Sequence, residues 1–404
     1  MPARDKEKVL GKIEDVFPDS SEDQGLFEKF LFEDGWSGVS KELSRTDWLT
    51  AAIVSTGNWL AVAAARRGQL ARALSENPEF DARLMAVLDA AKTGSVVSGA
   101  QVNRLKGGGN HIYYGAPGTG KSHSITVAVK KAGSEKFSTT TVFHPDMQNS
   151  DFFGTLKPYT ENNEIGYRFS PGPFLKAYAQ AWNNPEEEVW LVIEELNRAP
   201  AAAVFGELFL LLDRKDDGSG QYPVTYPSPE CRVWVEMSIE APDHPDSLKL
   251  PSNLQIACTL NSADQGVYPL DTAFRRRWSQ HYIPIDEMSG PPGAKVKIVL
   301  ANGAEQELLW GILIKSMNTV MKRHGISEDR LLGPWFAGTR DLGESDKIPD
   351  KVMVYLWEDL FRNHDKSVLF RVTGSTYGEL VTSMAAGKPV FSDELFTEID
   401  TQLA

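Results

Sequence analysis

The chain has 404 residues and a mass of 44.7 kDa, more than one ordinary hydrophobic core supports, so two or three domains are expected. Hydrophobic residues make up 41% and charged residues 24%, which is the balance of a folded globular protein and excludes wholesale disorder. A formal net charge of −13 excludes a surface that holds polyanions by bulk charge and leaves only focused contacts with nucleic acid.

The opening MPARDKEKVLGKIEDVF is charged where a signal peptide is apolar, and the longest apolar runs, such as Trp59 to Ala65, are too short to span a bilayer. Cys231 and Cys258 form no C-x-x-C pair, so no cysteine zinc site or disulfide framework is expected. These features predict a cytoplasmic protein with no membrane association. Residues 1–106 read as helices, with helical apolar spacing at Leu26, Phe27, Phe30 and Leu31 and again from Trp48 to Val62. Arg66, Arg67 and Arg72 lie close together there, either as a solvated helix face or as phosphate contacts. The region is near neutral and is expected to be a helical recognition domain.

Gly107-Gly108-Gly109 is expected to be a flexible joint. From His111 to about Asp286, short apolar runs alternate with helical stretches: HIYY, then Ser122–Lys131; TTTVFH; VWLVIE, then Ala201–Leu212; LQIACTL; HYIPI. That alternation predicts an α/β core over 107–288, a mainly parallel sheet with helices on both faces. Ser289-Gly290-Pro291-Pro292-Gly293 ends the pattern. Residues 289–404 read as helical, with one helix over 305–325 carrying the stripe Leu308, Leu309, Ile312, Leu313, Met317, Val320 and Met321, and another over 352–361. No repeat of solenoid length is visible.

Gly115-Ala116-Pro117-Gly118-Thr119-Gly120-Lys121-Ser122 fits G-x-x-x-x-G-K-[ST] between an expected strand and an expected helix. In such a loop Gly115, Pro117, Gly118, Thr119 and Gly120 shape a backbone cradle for phosphates, Lys121 reaches the β and γ oxygens and Ser122 ligates Mg²⁺. VWLVIEE then ends in two acids. Glu194 is expected to serve the magnesium and Glu195 to orient the attacking water. Position 194 usually carries Asp in this kind of site, and Glu is longer by a methylene, which alters the reach toward magnesium. His144 is expected to be a buried strand-end residue. Asp213-Arg214-Lys215 has a D-x-K look, yet it ends a helix and lacks a supporting acid, so no nuclease site is assigned.

Further on come Glu195-Leu196-Asn197-Arg198, Phe205-Gly206-Glu207-Leu208, Pro251-Ser252-Asn253-Leu254, Asn261-Ser262-Ala263-Asp264 and Leu270-Asp271-Thr272-Ala273-Phe274-Arg275-Arg276-Arg277-Trp278. With Val142-Phe143-His144, Gly333-Pro334-Trp335-Phe336 and Tyr355-Leu356-Trp357, these segments resemble the AAA+ superfamily, and within it the McrB-like motor subunits of modification-dependent restriction systems. The resemblance covers about residues 107–365. It implies a P-loop core followed by a helical lid, hydrolysis of ATP or GTP with Mg²⁺, and a homo-oligomeric ring, expected to be a hexamer. It also implies a McrC-like nuclease subunit in trans and DNA reached through the N-terminal domain or that partner. It makes Asn261 the sensor residue at the γ-phosphate and Arg277, with Arg276 beside it, the arginine finger on a neighbouring subunit. Asn197 and Arg198 resemble residues at the subunit interface, Arg198 being either a second trans arginine or an ordinary ion pair. Two rival functions stay open: a MoxR-like remodelling ATPase, and a nucleotide-binding scaffold that has lost hydrolysis.

Overall fold

The computed structural model describes residues 103–161, 164–239, 241, 243–262, 266–343, 348–371 and 376–404. Arg66, Arg67, Arg72 and Asp264 lie outside the described residues. The strands in chain order are β1 (Asn110–Tyr114), β2 (Ser138–Val142), β3 (Gly154–Glu161), β4 (Glu164–Pro171), β5 (Val189–Glu194), β6 (Leu254–Leu260), β7 (Ser279–Tyr282), β8 (Lys295–Val299) and β9 (Glu305–Leu309). The longer helices are α1 (Lys121–Lys131), α2 (Pro173–Asn183), α3 (Pro229–Ser238), α4 (Trp310–Arg323), α5 (Tyr377–Ala385) and α6 (Asp393–Leu403). The chain divides into two compact units. One takes residues 109–152, 190–209 and 255–404, and the other takes 153–189 and 210–254 with the described residues up to Gly108.

The first unit is built on a sheet in the order β2-β5-β6-β1-β7. β1 runs parallel to β6 and to β7, and β2 runs parallel to β5. The central strands read VWLVIE and LQIACTL and are buried almost throughout, as strands covered on both faces must be. The edge strands STTTV and SQHY carry the polar residues that an exposed edge tolerates. Ile125 and Val129 of α1 pack on Trp190, Val192 and Ala257, which fixes the helix that follows the glycine loop against one sheet face. A run of rings, Phe143, Phe152, Phe205, Phe274 and Trp278, joins the loops and short helices of this unit.

Residues beyond Gly293 share one apolar core, in which Trp310, Leu313, Met317, Val320 and Met321 of α4 meet Leu356, Trp357, Phe361, Phe370, Leu395 and Ile399. The expected helix over 305–325 starts only at Trp310. Glu305–Leu309 is instead the strand β9, antiparallel to β8 with Val296 opposite Leu308. Only alternate residues of that segment can be buried, and Lys295 and Glu307 form an ion pair at 2.6 Å on the outer face. The lid is therefore helical with a small hairpin. Over 352–361 the helix runs to Val354 and widens into a π turn over Tyr355–Leu360.

The second unit holds the hairpin β3–β4, which sequence periodicity did not reveal, together with α2 and α3. Its interior is aromatic: Phe174 stacks on Tyr178, and His244 lies edge-on to both Tyr178 and Trp182. Arg104 lies over the Trp182 ring and pairs with Asp243 at 3.1 Å. Asn253 donates to the carbonyls of Ala181, Asn184 and Glu187, which ties the loop before β6 to the end of α2.

Three local expectations are corrected. Gly107–Gly109 is no flexible joint, because Gly107 N–H donates to Asp217 O at 3.0 Å, Gly108 N–H to Ser252 O at 2.7 Å, and Gly109 N–H to Gln255 Oε1 at 2.9 Å. A Cβ on Gly108 would meet Leu254 O at 2.7 Å, so glycine serves close backbone approach here instead of freedom. His144 is exposed, and Phe143 takes the buried place at the end of β2. The helix expected over 201–212 is α-helical only to Phe205, since Gly206 at φ 51 ends it, and continues to Leu212 as a 3₁₀ turn.

Candidate functional site

The glycine loop leaves β1 at Tyr114 and enters α1 at Lys121. Gly118 and Gly120 both have positive φ, 78° and 90°, which a side chain would resist. The turn is tied by Thr119 Oγ1 donating to Ala116 O at 2.9 Å. Lys121 is 8% exposed, and its ammonium donates to Gly115 O and Ala116 O at 3.0 Å each, which holds the cation inside the curve of the loop. An anion arriving there meets a fixed ammonium, the start of an eleven-residue helix and backbone N–H groups.

A second layer comes from the lid. Gly333 N–H donates to Pro117 O and Trp335 N–H to Gly118 O, both at 2.9 Å. The lid loop that carries these donors is braced from behind. Trp310 Nε1 donates to Pro334 O, and Asn318 both donates to and accepts from the Leu332 backbone. The Gly333-Pro334-Trp335-Phe336 segment thus lies backbone to backbone on the phosphate loop.

The acids stand at the end of β5. Glu194 Oε2 accepts from Ser122 Oγ at 2.8 Å, so the first acid and the hydroxyl of the loop converge on one spot. Two hard oxygen donors side by side suit Mg²⁺, which takes few protein ligands when phosphates and water complete its shell. Glu195 has φ 58° and ψ 47°, and among the described residues it alone departs from negative φ without being glycine. That backbone costs on the order of 1–2 kcal/mol and persists only where the surroundings hold it. Its N–H donates to Thr259 Oγ1 at 3.0 Å, its side-chain Oε1 accepts from Asn261 Nδ2 at 2.8 Å, and its carbonyl accepts from Arg198 N–H at 2.8 Å. The strained turn lifts the second carboxylate away from the first and aims it at Asn261.

Asn261 lies just past β6. Its side-chain Oδ1 is buried with no hydrogen-bond partner among the described residues, next to the Glu195 carboxylate. Asn197 is 3% exposed and donates through Nδ2 to Asn261 O at 2.7 Å. It braces Asn261 from within the subunit, in place of the interface position that the resemblance implied. The Arg198 guanidinium lies 3.6 Å from Glu195 Oε2, an ion pair inside the same subunit.

The arginine run follows a short helix over Thr272–Arg275 capped by Asp271, whose side chain accepts from Phe274 N–H at 2.6 Å. Phe274 and Trp278 are buried and stacked, and Arg275 and Arg276 project as exposed side chains between those anchors. Arg277 is half-buried. Its guanidinium lies 3.9 Å from the Phe209 ring centre and donates to Ala273 O, while its carbonyl accepts from Asn110 Nδ2. Arg214 of the Asp213-Arg214-Lys215 stretch, in the other unit, donates to Gly218 O and Leu254 O and holds a turn. No group of three or more His, Cys, Asp or Glu side chains among the described residues is placed to hold a metal ion.

Residues 110–278 match the AAA domain of the dynein-related subfamily. The chain is also 34% identical over 310 residues to the type II restriction enzyme BsuMI component YdiS of Bacillus subtilis (strain 168), covering 71% of this chain and 88% of that protein. This chain is a McrB-like member of the AAA+ family. The type IV methyl-directed restriction enzyme EcoKMcrB subunit of Escherichia coli (strain K12) is 30% identical over 175 residues, which span 42% of this AAA+ chain and 34% of that protein. Among solved structures, the S. cerevisiae Hsp104-ADP complex matches at 18% identity over 59% of this chain and 40% of that one, with a TM-score of 0.25. The AAA+ assignment makes the protein a nucleotide-binding ATPase related to restriction-system components. Among the described residues no helix is long and apolar enough to cross a membrane.

Proposed function

We propose that this AAA+ protein hydrolyses ATP or GTP with Mg²⁺ and acts as the ring-forming motor subunit of a McrBC-like restriction system, with a McrC-like nuclease partner and foreign DNA as the target. The supporting observation is the convergence of Lys121, Ser122, Glu194, Glu195 and Asn261 from three elements on one site. In this reading Gly115, Pro117, Gly118, Thr119 and Gly120 wrap the phosphates and Lys121 neutralises them. Ser122 and Glu194 would hold Mg²⁺, which supplies charge stabilisation at the β and γ oxygens. Glu195 accepts a hydrogen bond from the attacking water and Asn261 orients it, so the nucleophile is placed and its proton has an acceptor. An arginine from the neighbouring subunit meets the γ-phosphate, and the exposed Arg276 and the ring-stacked Arg277 are the residues proposed for it. Residues 1–106 are proposed to choose the target, since every phosphate-binding residue lies beyond them.

Lys121→Ala and Glu195→Gln test the reading. Lys121→Ala removes a phosphate-contacting charge and should weaken nucleotide binding by about tenfold or more. Glu195→Gln should bind nucleotide and assemble as wild type while turnover falls by about a hundredfold or more. Wild-type turnover by Glu195→Gln would remove that residue from the mechanism. Wild-type protein that binds nucleotide tightly yet hydrolyses none, alone or with a McrC-like nuclease partner, would replace the motor with a scaffold.

A further inference from the structure

β6 carries a hydroxyl that none of the roles above uses. Thr259 is 2% exposed and sits between the buried Cys258 and Leu260. Successive strand residues point to opposite faces, so Thr259 and Asn261, two apart, are directed to the same side. The Thr259 hydroxyl donates to Glu194 Oε2 at 2.5 Å and accepts from the Glu195 N–H at 3.0 Å. A hydroxyl has one proton to give and two lone pairs, and here each direction is spent on a different acid of the pair.

We propose that Thr259 is the positioning residue for both acids: its hydroxyl sets the reach of the Glu194 carboxylate toward the metal position and holds the left-handed turn that presents Glu195. Ser122 on α1 and Thr259 on β6 grip the same oxygen of Glu194 from two elements, at 2.8 and 2.5 Å. The carboxylate is thereby fixed in rotation as well as place. Glutamate carries one more rotatable bond than aspartate, so it gains more from such a second grip. At Glu195 the left-handed backbone needs a partner for its N–H inside a buried strand end, and the Thr259 oxygen is that partner. One side chain thus sets the spacing between the metal-holding acid and the water-orienting acid.

This inference rests on the hydrolase reading above, and one series separates the two. Thr259→Val keeps the shape and removes the hydroxyl. Thr259→Ser keeps the hydroxyl, and Thr259→Ala removes it while leaving space instead of a misplaced methyl. Fluorescent-nucleotide binding is titrated with Mg²⁺, turnover is measured at saturating nucleotide, and melting temperature is recorded for every variant. Thr259→Val and Thr259→Ala should raise the Mg²⁺ concentration for half-maximal effect by about tenfold and lower kcat by about 10–100-fold, with Mg²⁺-free nucleotide affinity within about twofold of wild type. Thr259→Ser should stay within about threefold of wild type on every readout. A purely structural threonine would lower the melting temperature without moving the Mg²⁺ midpoint. Wild-type Mg²⁺ dependence in folded Thr259→Val or Thr259→Ala, or a Thr259→Ser protein as impaired as Thr259→Val, overturns the proposal. A wild-type protein without turnover sinks the hydrolase reading instead, and the Mg²⁺ titration of binding still decides Thr259.

Discussion

The seating of the lid loop on the phosphate loop makes Gly333 the most exposing position to change. A Cβ built at Gly333 lies 2.3 Å from the Gly118 carbonyl carbon and 2.5 Å from both Gly118 O and Thr119 N. All three are backbone atoms, so no flexible side chain can swing away. Ordinary carbon contacts sit near ~3.5–4.0 Å, so the two loops must part by more than about 1 Å. That separation breaks the two 2.9 Å hydrogen bonds from Gly333 N–H and Trp335 N–H to the phosphate loop. Their net loss is about 1 kcal/mol each, and overpacking adds about 1–3 kcal/mol. The total is roughly 3–5 kcal/mol, divided between folding stability and the shape of the loop that receives phosphate. If half of it falls on binding, nucleotide affinity drops by about tenfold to a hundredfold at ~1.4 kcal/mol per decade. Equilibrium titration with a fluorescent nucleotide and a thermal melt measure the two shares. Gly378→Ala in α5, whose Cβ meets nothing nearer than Thr376 Oγ1 at 3.9 Å, is the control and should be neutral or slightly stabilising. A Gly333→Ala protein with wild-type affinity and wild-type melting temperature would show that the lid loop is not held on the phosphate loop.

Two further outcomes follow from the same geometry. Mixing Glu195→Gln protein with Arg276→Ala or Arg277→Ala protein should restore turnover at interfaces that pair an intact acid with an intact arginine. Co-assembled mixed rings as inactive as their parents would refute a trans role for the arginine tested. Burial pushes the Cys231 thiol up to about 12, and burial followed by the nearby Glu194 charge holds Cys258 well above the usual thiol range. Thiolate is the reactive form and a raised value keeps both residues protonated at pH 8, so a disulfide reagent should label neither cysteine until the protein is unfolded. Rapid labelling of the native protein would contradict this burial.

Much of the core was legible because its strands are extreme. VWLVIE and LQIACTL are apolar on both faces, and that pattern belongs to a central parallel strand. The segment over 305–325 was harder, since Leu308 and Leu309 fit a helical stripe as well as they fit a strand. What decided it was pairing with Lys295–Val299, a partner that lies outside any local window. The hairpin of β3 and β4 escaped for a related reason: Gly154, Pro158 and Gly166 break the alternation that marks a strand, yet the cross-strand register runs from Gly154 opposite Pro171 to Glu161 opposite Glu164. Gly107–Gly109 shows the opposite trap. Composition reports that glycine lacks a side chain, and only the neighbours tell whether that absence serves motion or a 2.7 Å approach of backbone.

At the site, spacing announced residues whose chemistry is tied to a motif and was silent about those that act by placement. Lys121, Ser122, Glu194 and Glu195 are named by the G-x-x-x-x-G-K-S loop and the strand ending in two acids. Thr259 had a readable signal in the two-residue period that sets it beside Asn261 on β6, but nothing in the sequence gives it two acids to hold. Asn197 looked outward by resemblance and turns inward because the 3₁₀ turn after Glu195 carries it under Asn261. The arginine run marks the limit most clearly. Three adjacent arginines have the same charge and nearly the same place, and their directions are set by Phe274 and Trp278, which anchor the segment, and by Phe209, a ring more than sixty positions earlier that draws Arg277 down. Arg277 must leave that ring and the Ala273 carbonyl to reach a neighbour, whereas Arg276 already projects. The mixed-ring experiment therefore discriminates between two arginines that sequence position alone treats as equivalent.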